Sequence, residues 1–210
     1  LVTGASRGIG FQLVKLLAEQ GHRVFALSRS IESLTTLRES NEIYNSLTPV
    51  SVDLSNPDLS AVKSVIKSIP LDALVNNAGL LINKPFLDLD VNEVLEMFKV
   101  NTISVYGISQ LLFDNLKAAK GNITNISSIG GVNGTSKFPG LSGYSSSKGS
   151  MITLTECMAE ELKDNINVNA LALGAVQTEM LEEAFPGYKA NVSAKQMAVY
   201  IANFILNDAY

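Results

Sequence analysis

The stretch Thr3-Gly4-Ala5-Ser6-Arg7-Gly8-Ile9-Gly10 follows directly on an apolar pair, Leu1-Val2. It predicts the end of a strand, a tight turn and the first turn of a helix. Gly4 and Gly8 permit backbone angles that a Cβ penalises, and Gly10 lets the helix lie close against a sheet. The N–H groups at such a helix start, aided by its dipole, form a seat for a pyrophosphate. The glycines are spaced G-x-x-x-G-x-G rather than G-x-G-x-x-G. A lone glycine turn is most often only a turn. Its place at the head of an alternating strand–helix chain gives it weight.

Residues 8–20 carry Ile9, Leu13, Leu16 and Leu17 at helical spacing, and Gly21 ends that helix. Arg23 to Leu27 is a short apolar run of the buried-strand kind. Further strands are expected at Pro49–Asp53, Leu71–Val75, Asn122–Ile126 and 165–172. Helices are expected over 31–39 and 58–68, as one long element from Asp90 to about Ala119, from Tyr144 to about Asp164, and over 193–207. The segment 179–192, with Pro186-Gly187 and mixed polarity, reads as a small mobile lid. At 210 residues the chain fits one α/β domain, and 46% apolar against 17% charged residues suits a sheet buried on both faces. The first strand is expected to be truncated. The chain stops at Tyr210 just after a helix, so a closing strand is expected to be absent.

A net charge of −4 without a basic run argues against nucleic acid as a partner. No apolar run approaches the ~18 residues of a membrane span, and no cleavable signal is visible. The single cysteine, Cys157, excludes an internal disulfide framework and suits a reducing compartment, so the cytoplasm is expected. Cys157 falls on an apolar helix face and is expected in the core. His22 begins a strand away from the cleft side and is expected to be exposed. No His/Cys/Asp cluster has metal-ligand spacing, and no catalytic metal is expected.

Ser28-Arg29 lies at the carboxyl end of the second strand, where open parallel sheets bind ligands. An acid there would hold the ribose hydroxyls of NAD. This chain has Arg29 instead, with Arg7 in the nearby turn, and two guanidinium groups suit the 2′-phosphate of NADP. The plainer alternative is a pair of solvated surface arginines. Asp53, beside Leu54, either accepts a hydrogen bond from an adenine amine or caps a helix starting near Pro57. In Asn76-Asn77-Ala78-Gly79 the small residues admit a cofactor, while the asparagines can tie loop ends together. Asn101, midway along the expected long helix, reads by itself as an exposed or locally bonded side chain.

Tyr144 and Lys148, four apart on a helix, point to one side. A phenol has a reference pKa of about 10, and a cationic neighbour favours phenolate. Lowering it by two to three units takes roughly 3–4 kcal/mol, at ~1.36 per unit. Tyr144 could then give a proton to a carbonyl oxygen during hydride delivery, or take one in the reverse oxidation. Ser128, at the end of the neighbouring strand, could donate a second hydrogen bond to that oxygen, with Ser127 as the fallback. On its own, Tyr-x-x-x-Lys is an ordinary helix surface pair.

Over essentially its whole length the chain resembles the single-domain short-chain dehydrogenase/reductases. The matching motifs are Thr3–Gly10, Asn76–Gly79, Asn101, Asn125-Ile126-Ser127-Ser128 and Tyr144-x-x-x-Lys148. The resemblance implies a Rossmann fold, a doubly wound parallel sheet flanked by helices on both faces. It implies the catalytic set Asn101, Ser128, Tyr144 and Lys148, with the asparagine holding a relay water and the lysine also binding the nicotinamide ribose. The implied coenzyme is NADP(H) rather than NAD(H), held by Gly4, Ser6, Arg7, Gly8, Ile9 and Gly10, then by Arg29, Asp53 and Leu54. Asn76, Ala78, Gly79, Val176 and Thr178 complete that set, Thr178 matching the residue that holds the carboxamide. A small carbonyl or alcohol is the implied substrate, and a homodimer or homotetramer joined through the two long helices the implied assembly.

Three features depart from the pattern. Leu173 stands where a proline usually precedes the glycine, the Ser128–Tyr144 loop is somewhat long, and the closing strand is expected to be absent. Two other functions compete. A coenzyme-sensing protein could use the fold without chemistry, although it has little reason to keep Ser128, Tyr144 and Lys148 together. Sugar-nucleotide epimerase or dehydratase chemistry uses a related Tyr-Lys pair but needs a larger substrate region. Phe138, Leu141, Met180, Leu181 and Phe185 suggest an apolar pocket, or loop packing.

Overall fold

The computed structural model describes residues 1–56 and 58–207. The elements run β1 (Val2–Thr3), α1 (Gly8–Glu19), β2 (Val24–Ser28), α2 (Glu32–Ser40), β3 (Leu47–Ser51), α3 (Ser60–Ile66) and β4 (Ala73–Asn76). They continue with α4 (Val91–Phe98), α5 (Ser104–Leu111), α6 (Phe113–Ala119), β5 (Asn122–Ser128), α7 (Ser142–Leu162) and β6 (Asn167–Leu173). Last come β7 (Val176–Gln177), α8 (Glu179–Ala184), β8 (Val192–Ser193) and α9 (Ala194–Leu206). Among the described residues, six parallel strands form one sheet in the order β3-β2-β1-β4-β5-β6. This is a Rossmann-like sheet, and its order reverses between β1 and β4, where Val2 pairs with Ala26 on one side and Val75 on the other. A crevice at the carboxyl ends of those strands follows from the topology.

Strand alternation sorts the apolar residues into two cores. Val24 and Ala26 pack with Leu13, Leu17, Ile201 and Ile205 under α1 and α9. Phe25 and Leu27 pack with Val62, Ile66, Ile108 and Leu116 under α3, α5 and α6. Both faces of the sheet are therefore dry, as a parallel sheet requires. The end of α1 is set by Gly21 at φ +84°, where the Gly21 N–H reaches Ala18 O and the His22 N–H reaches Leu17 O, a Schellman cap. His22 is exposed.

Four expectations are corrected. The helix expected from Asp90 to about Ala119 is segmented: a π-helical turn, Lys99–Ile103, separates α4 from α5, and the chain slackens at Leu112 before α6. The extra residue in the π turn turns Asn101 inward, where its side chain is fully buried. The third strand ends at Ser51, so Asp53 stands beyond it; its carboxylate accepts from the Ser55 N–H at 2.9 Å rather than capping a helix. Pro57 lies outside the described residues, and α3 starts at Ser60. Cys157 is exposed, because α7 turns Ser147, Met151 and Thr155 inward and Cys157 falls on the other side. Among the described residues no helix is long and apolar enough to cross a membrane.

Candidate active site

The turn after β1 is a cradle that side chains would fill. Gly4 sits at φ +65°, and a Cβ there would come 2.7 Å from the Ala78 Cα. A Cβ on Gly10 would come 2.3 Å from Gly4 O, so α1 closes onto the turn only because residue 10 is glycine. Gly8, at φ +57°, opens α1 behind Arg7, whose side chain caps none of the first N–H groups. Those donors face the cleft, and no acid stands in the first turn of α1. This arrangement fits the diphosphate of a dinucleotide.

The loops around the turn are tied to it. Thr3 Oγ1 accepts from the Asn77 and Ala78 N–H groups at 3.0 Å each, and the Asn77 amide donates back to Thr3 O and Gly4 O. Ser28 Oγ donates to Ser6 Oγ at 2.8 Å, which fastens the turn to the end of β2. Gly4, Ser6, Arg7, Gly8 and Ile9 line the cleft, as do Arg29, Asp53 and Leu54 beyond β2 and β3. Ala78, Gly79, Val176 and Thr178 line it from the other side. Gly10 and Asn76, both expected as coenzyme contacts, are buried and are not among the lining residues. Gly10 serves packing, and Asn76 donates to Asn125 Oδ1 at 2.8 Å inside the sheet. Asn77, which ties the loop ends together as the sequence suggests, lines the cleft in its place.

The two arginines differ. Arg7 forms an ion pair with Glu183 of α8 through its two terminal guanidinium nitrogens, which raises the Arg7 pKa and lowers that of Glu183. Arg29 is exposed and close enough to Asp53 to help lower its pKa, after the larger effect of the two Ser55 hydrogen bonds. Glu183 and Glu179 are site residues that sequence reasoning missed. Glu183 is 176 positions from Arg7, and the carboxylate of Glu179 lies 3.5 Å from where a Gly8 Cβ would stand. No local pattern signals such a contact.

Farther along the cleft, β5 and α7 bring Ser128, Tyr144 and Lys148 together. Ser127 is buried and donates to Lys148 O at 2.9 Å, leaving Ser128 to face the cleft and reach the Tyr144 phenol. Burial pushes the phenol up to about 12, against the smaller opposing pull of Ser128. Burial also lowers the Lys148 ammonium to about 8; it donates to Ile126 O at 2.7 Å and lies 5.9 Å from the centre of the Tyr144 ring. The expected acidification of the phenol by its lysine is thus not what the protein alone produces. Desolvation outweighs a charge that points to a backbone carbonyl. Asn101 stands behind the cleft wall: its amide donates to Leu80 O and Ser147 Oγ, and its Oδ1 accepts from the Leu80 N–H. No cluster of His, Cys, Asp and Glu able to hold a metal ion forms among the described residues.

The family model of the short chain dehydrogenases matches residues 1–189. The chain belongs to this family. Among curated short-chain dehydrogenase relatives, carbonyl reductase [NADPH] 2 of Sus scrofa is 38% identical over 184 residues, 86% of this chain and 72% of that protein. L-xylulose reductase of Bos taurus is 37% identical over 190 residues, 88% of this chain and 74% of that protein. Among solved structures, 4-hydroxyisoleucine dehydrogenase complexed with NADH superposes with a TM-score of 0.84 at 26% identity, covering 99% of this chain and 91% of that one. As a short-chain dehydrogenase the protein belongs to a family of oxidoreductases.

Proposed function

We propose that the protein is an NADP(H)-dependent oxidoreductase that interconverts a ketone or aldehyde and an alcohol. The observation that carries this reading is a single cleft with a glycine-lined helix start at one end and Ser128, Tyr144 and Lys148 at the other. The diphosphate would lie against the first N–H groups of α1, between Ser6 and Ile9, with Arg29 and Arg7 towards the 2′-phosphate. Asp53 and Leu54 would flank the adenine, Ala78 and Gly79 would back the dinucleotide, and Val176 and Thr178 would hold the carboxamide. Lys148 would donate to the nicotinamide ribose. NADPH, when bound, supplies the hydride that reaches the carbonyl carbon.

The protein's part is to hold the carbonyl oxygen and give it a proton. Tyr144 donates that proton, and Ser128 donates a second hydrogen bond to the same oxygen. A phenol at about 12 is a neutral, fully loaded donor at pH 7. The alkoxide formed by hydride addition is a stronger base than a phenolate, so the transfer runs downhill. The reading therefore leans towards reduction. Asn101 enters as a positioning residue, because its amide is already engaged by Leu80 and Ser147.

We also propose a cytoplasmic location, which a single cysteine, unable to form an internal disulfide, supports. The same reading makes the chain a homo-oligomer. Val91, Leu95, Ile103 and Tyr106 are exposed apolar residues along α4, the π turn and α5, with Leu87 (92% exposed) just ahead of them. Burying such residues against a second copy is the ordinary remedy. The test titrates NADPH and NADH by fluorescence and follows NADPH absorbance across ketones of graded size. Tighter NADPH binding with turnover is expected. Tighter NADH binding overturns the coenzyme choice, and tight binding with no turnover revives a non-catalytic coenzyme sensor.

A further inference from the structure

Beyond Ser128 and Tyr144 the cleft, about 1040 Å³ in all, opens into a chamber framed by three segments. These are the loop after β4, the loop before α7 and the lid around α8. Leu80, Leu81, Phe138, Leu141, Met180 and Phe185 line it, together with Tyr188, which is 52% exposed. The segments are bolted together. The Lys84 N–H donates to Gly140 O at 3.0 Å, and the Asn83 amide donates to Ala184 O at 2.8 Å. The Met180 methyl lies 3.8 Å from where a Cβ on Gly79 would stand, which sets it beside Lys148 at the reacting end.

Charge is distributed unevenly along the cleft. Arg7, Arg29, Glu32, Asp53 and Glu179 line the coenzyme half. At the junction stands Lys148, already bonded to Ile126 O. Lysines on the three framing segments are engaged within the chain: Lys84 pairs with Glu93, Lys189 with Glu182, and the Lys137 ammonium donates to Gly130 O, Val132 O and Thr135 Oγ1.

We infer that the substrate is an uncharged ketone of largely hydrocarbon character, its oxygen on Ser128 and Tyr144 and its skeleton against the chamber wall. This deepens the proposed oxidoreductase reading and rests on it. A sugar ketone carries a hydroxyl on nearly every carbon, and these would leave water for a wall of leucine, methionine and phenylalanine whose further hydroxyl is the exposed Tyr188 phenol. The hydroxyls of Ser128 and Tyr144 are committed to the carbonyl. A 2-oxo acid brings a carboxylate that would have to draw a lysine from its present partner. A hydrocarbon skeleton meets neither cost and gains from burial.

The test compares three probes at saturating NADPH: an aryl alkyl ketone, a ketopentose and a 2-oxo acid. The expected kcat/KM for the aryl alkyl ketone exceeds the other two by about 100-fold, the scale set by misplaced polar groups in an apolar pocket. Calorimetric titration of the matching secondary alcohols into the NADP⁺ complex is expected to follow the same order, which reads binding without turnover. Met180→Gln and Phe185→Ser are expected to lower kcat/KM for the aryl alkyl ketone about tenfold while leaving NADPH affinity unchanged. A ketopentose or 2-oxo acid turned over as well as the aryl alkyl ketone overturns the inference and leaves the oxidoreductase reading standing. No turnover of any probe, with NADPH bound, overturns both.

Discussion

The two halves of the cleft are built by different rules. The coenzyme half is made largely of backbone: the turn at Gly4, the helix start at Gly8 and the close approach at Gly10 each exclude a side chain. The substrate half is made of side chains from three separate segments, where leucine, methionine and phenylalanine serve alike. A wall that must present N–H groups at fixed points admits few residues. A wall that must only be apolar admits many. The division predicts that substitutions near Tyr144 change turnover, while those near Arg7 change which coenzyme is held.

The largest expected effect tests the chemical boundary between the halves. Tyr144→Phe removes the proton donor and is expected to lower kcat by about 10³-fold, with NADPH affinity within twofold of the parent by fluorescence titration. Retained turnover would put the acid elsewhere.

Next in size is a pH effect at the junction. Lys148 is depressed from its ordinary 10.5 to about 8, so its ammonium persists below pH 8 and is lost above it. NADPH affinity is therefore expected to be full below pH 8 and to weaken by up to about tenfold per pH unit above it. Lys148→Met should flatten that profile. Folding stability has the opposite slope. Between about pH 8 and 10.5 the unfolded chain binds the Lys148 proton more tightly, so this residue's contribution to stability rises with pH across that window.

The smallest effect sharpens the coenzyme half alone. Glu183→Gln breaks the exposed pair with Arg7 and frees the guanidinium for a 2′-phosphate. NADPH should bind up to about fivefold more tightly, the scale of a surface ion pair, and NADH should bind as before. An equal gain for both coenzymes would mean that Glu183 acts by closing the lid and not by competing for Arg7.

The same difference explains what could be read from the chain beforehand. The alternating elements and the glycine turn were legible because period and glycine placement are local properties, and each has one structural cause. The Schellman end of α1 at Gly21 belongs to this class. The π turn at Lys99–Ile103 does not, because the pull on Asn101 comes from Leu80 and Ser147, 21 and 46 positions away. The inward placement of Asn76 was equally hidden, since nothing in Asn76-Asn77 says which amide faces the sheet. Cys157 was misread because α7 buries a small-residue and polar face, Gly143, Ser147 and Thr155. That the protein alone leaves the Tyr144 phenol high depends on how deeply α7 sits, which spacing cannot supply.

The roof over the cleft is pinned at two neighbouring residues by bonds of unlike kind. Glu183 holds the glycine-turn side through full charges, while Ala184 holds the opposite side through a neutral amide bond from Asn83. At 1 M ionic strength the screening length shrinks to about 3 Å, which weakens the first and spares the second. Concentrated salt therefore loosens the flap along one edge only, making it a door hinged on the ketone side.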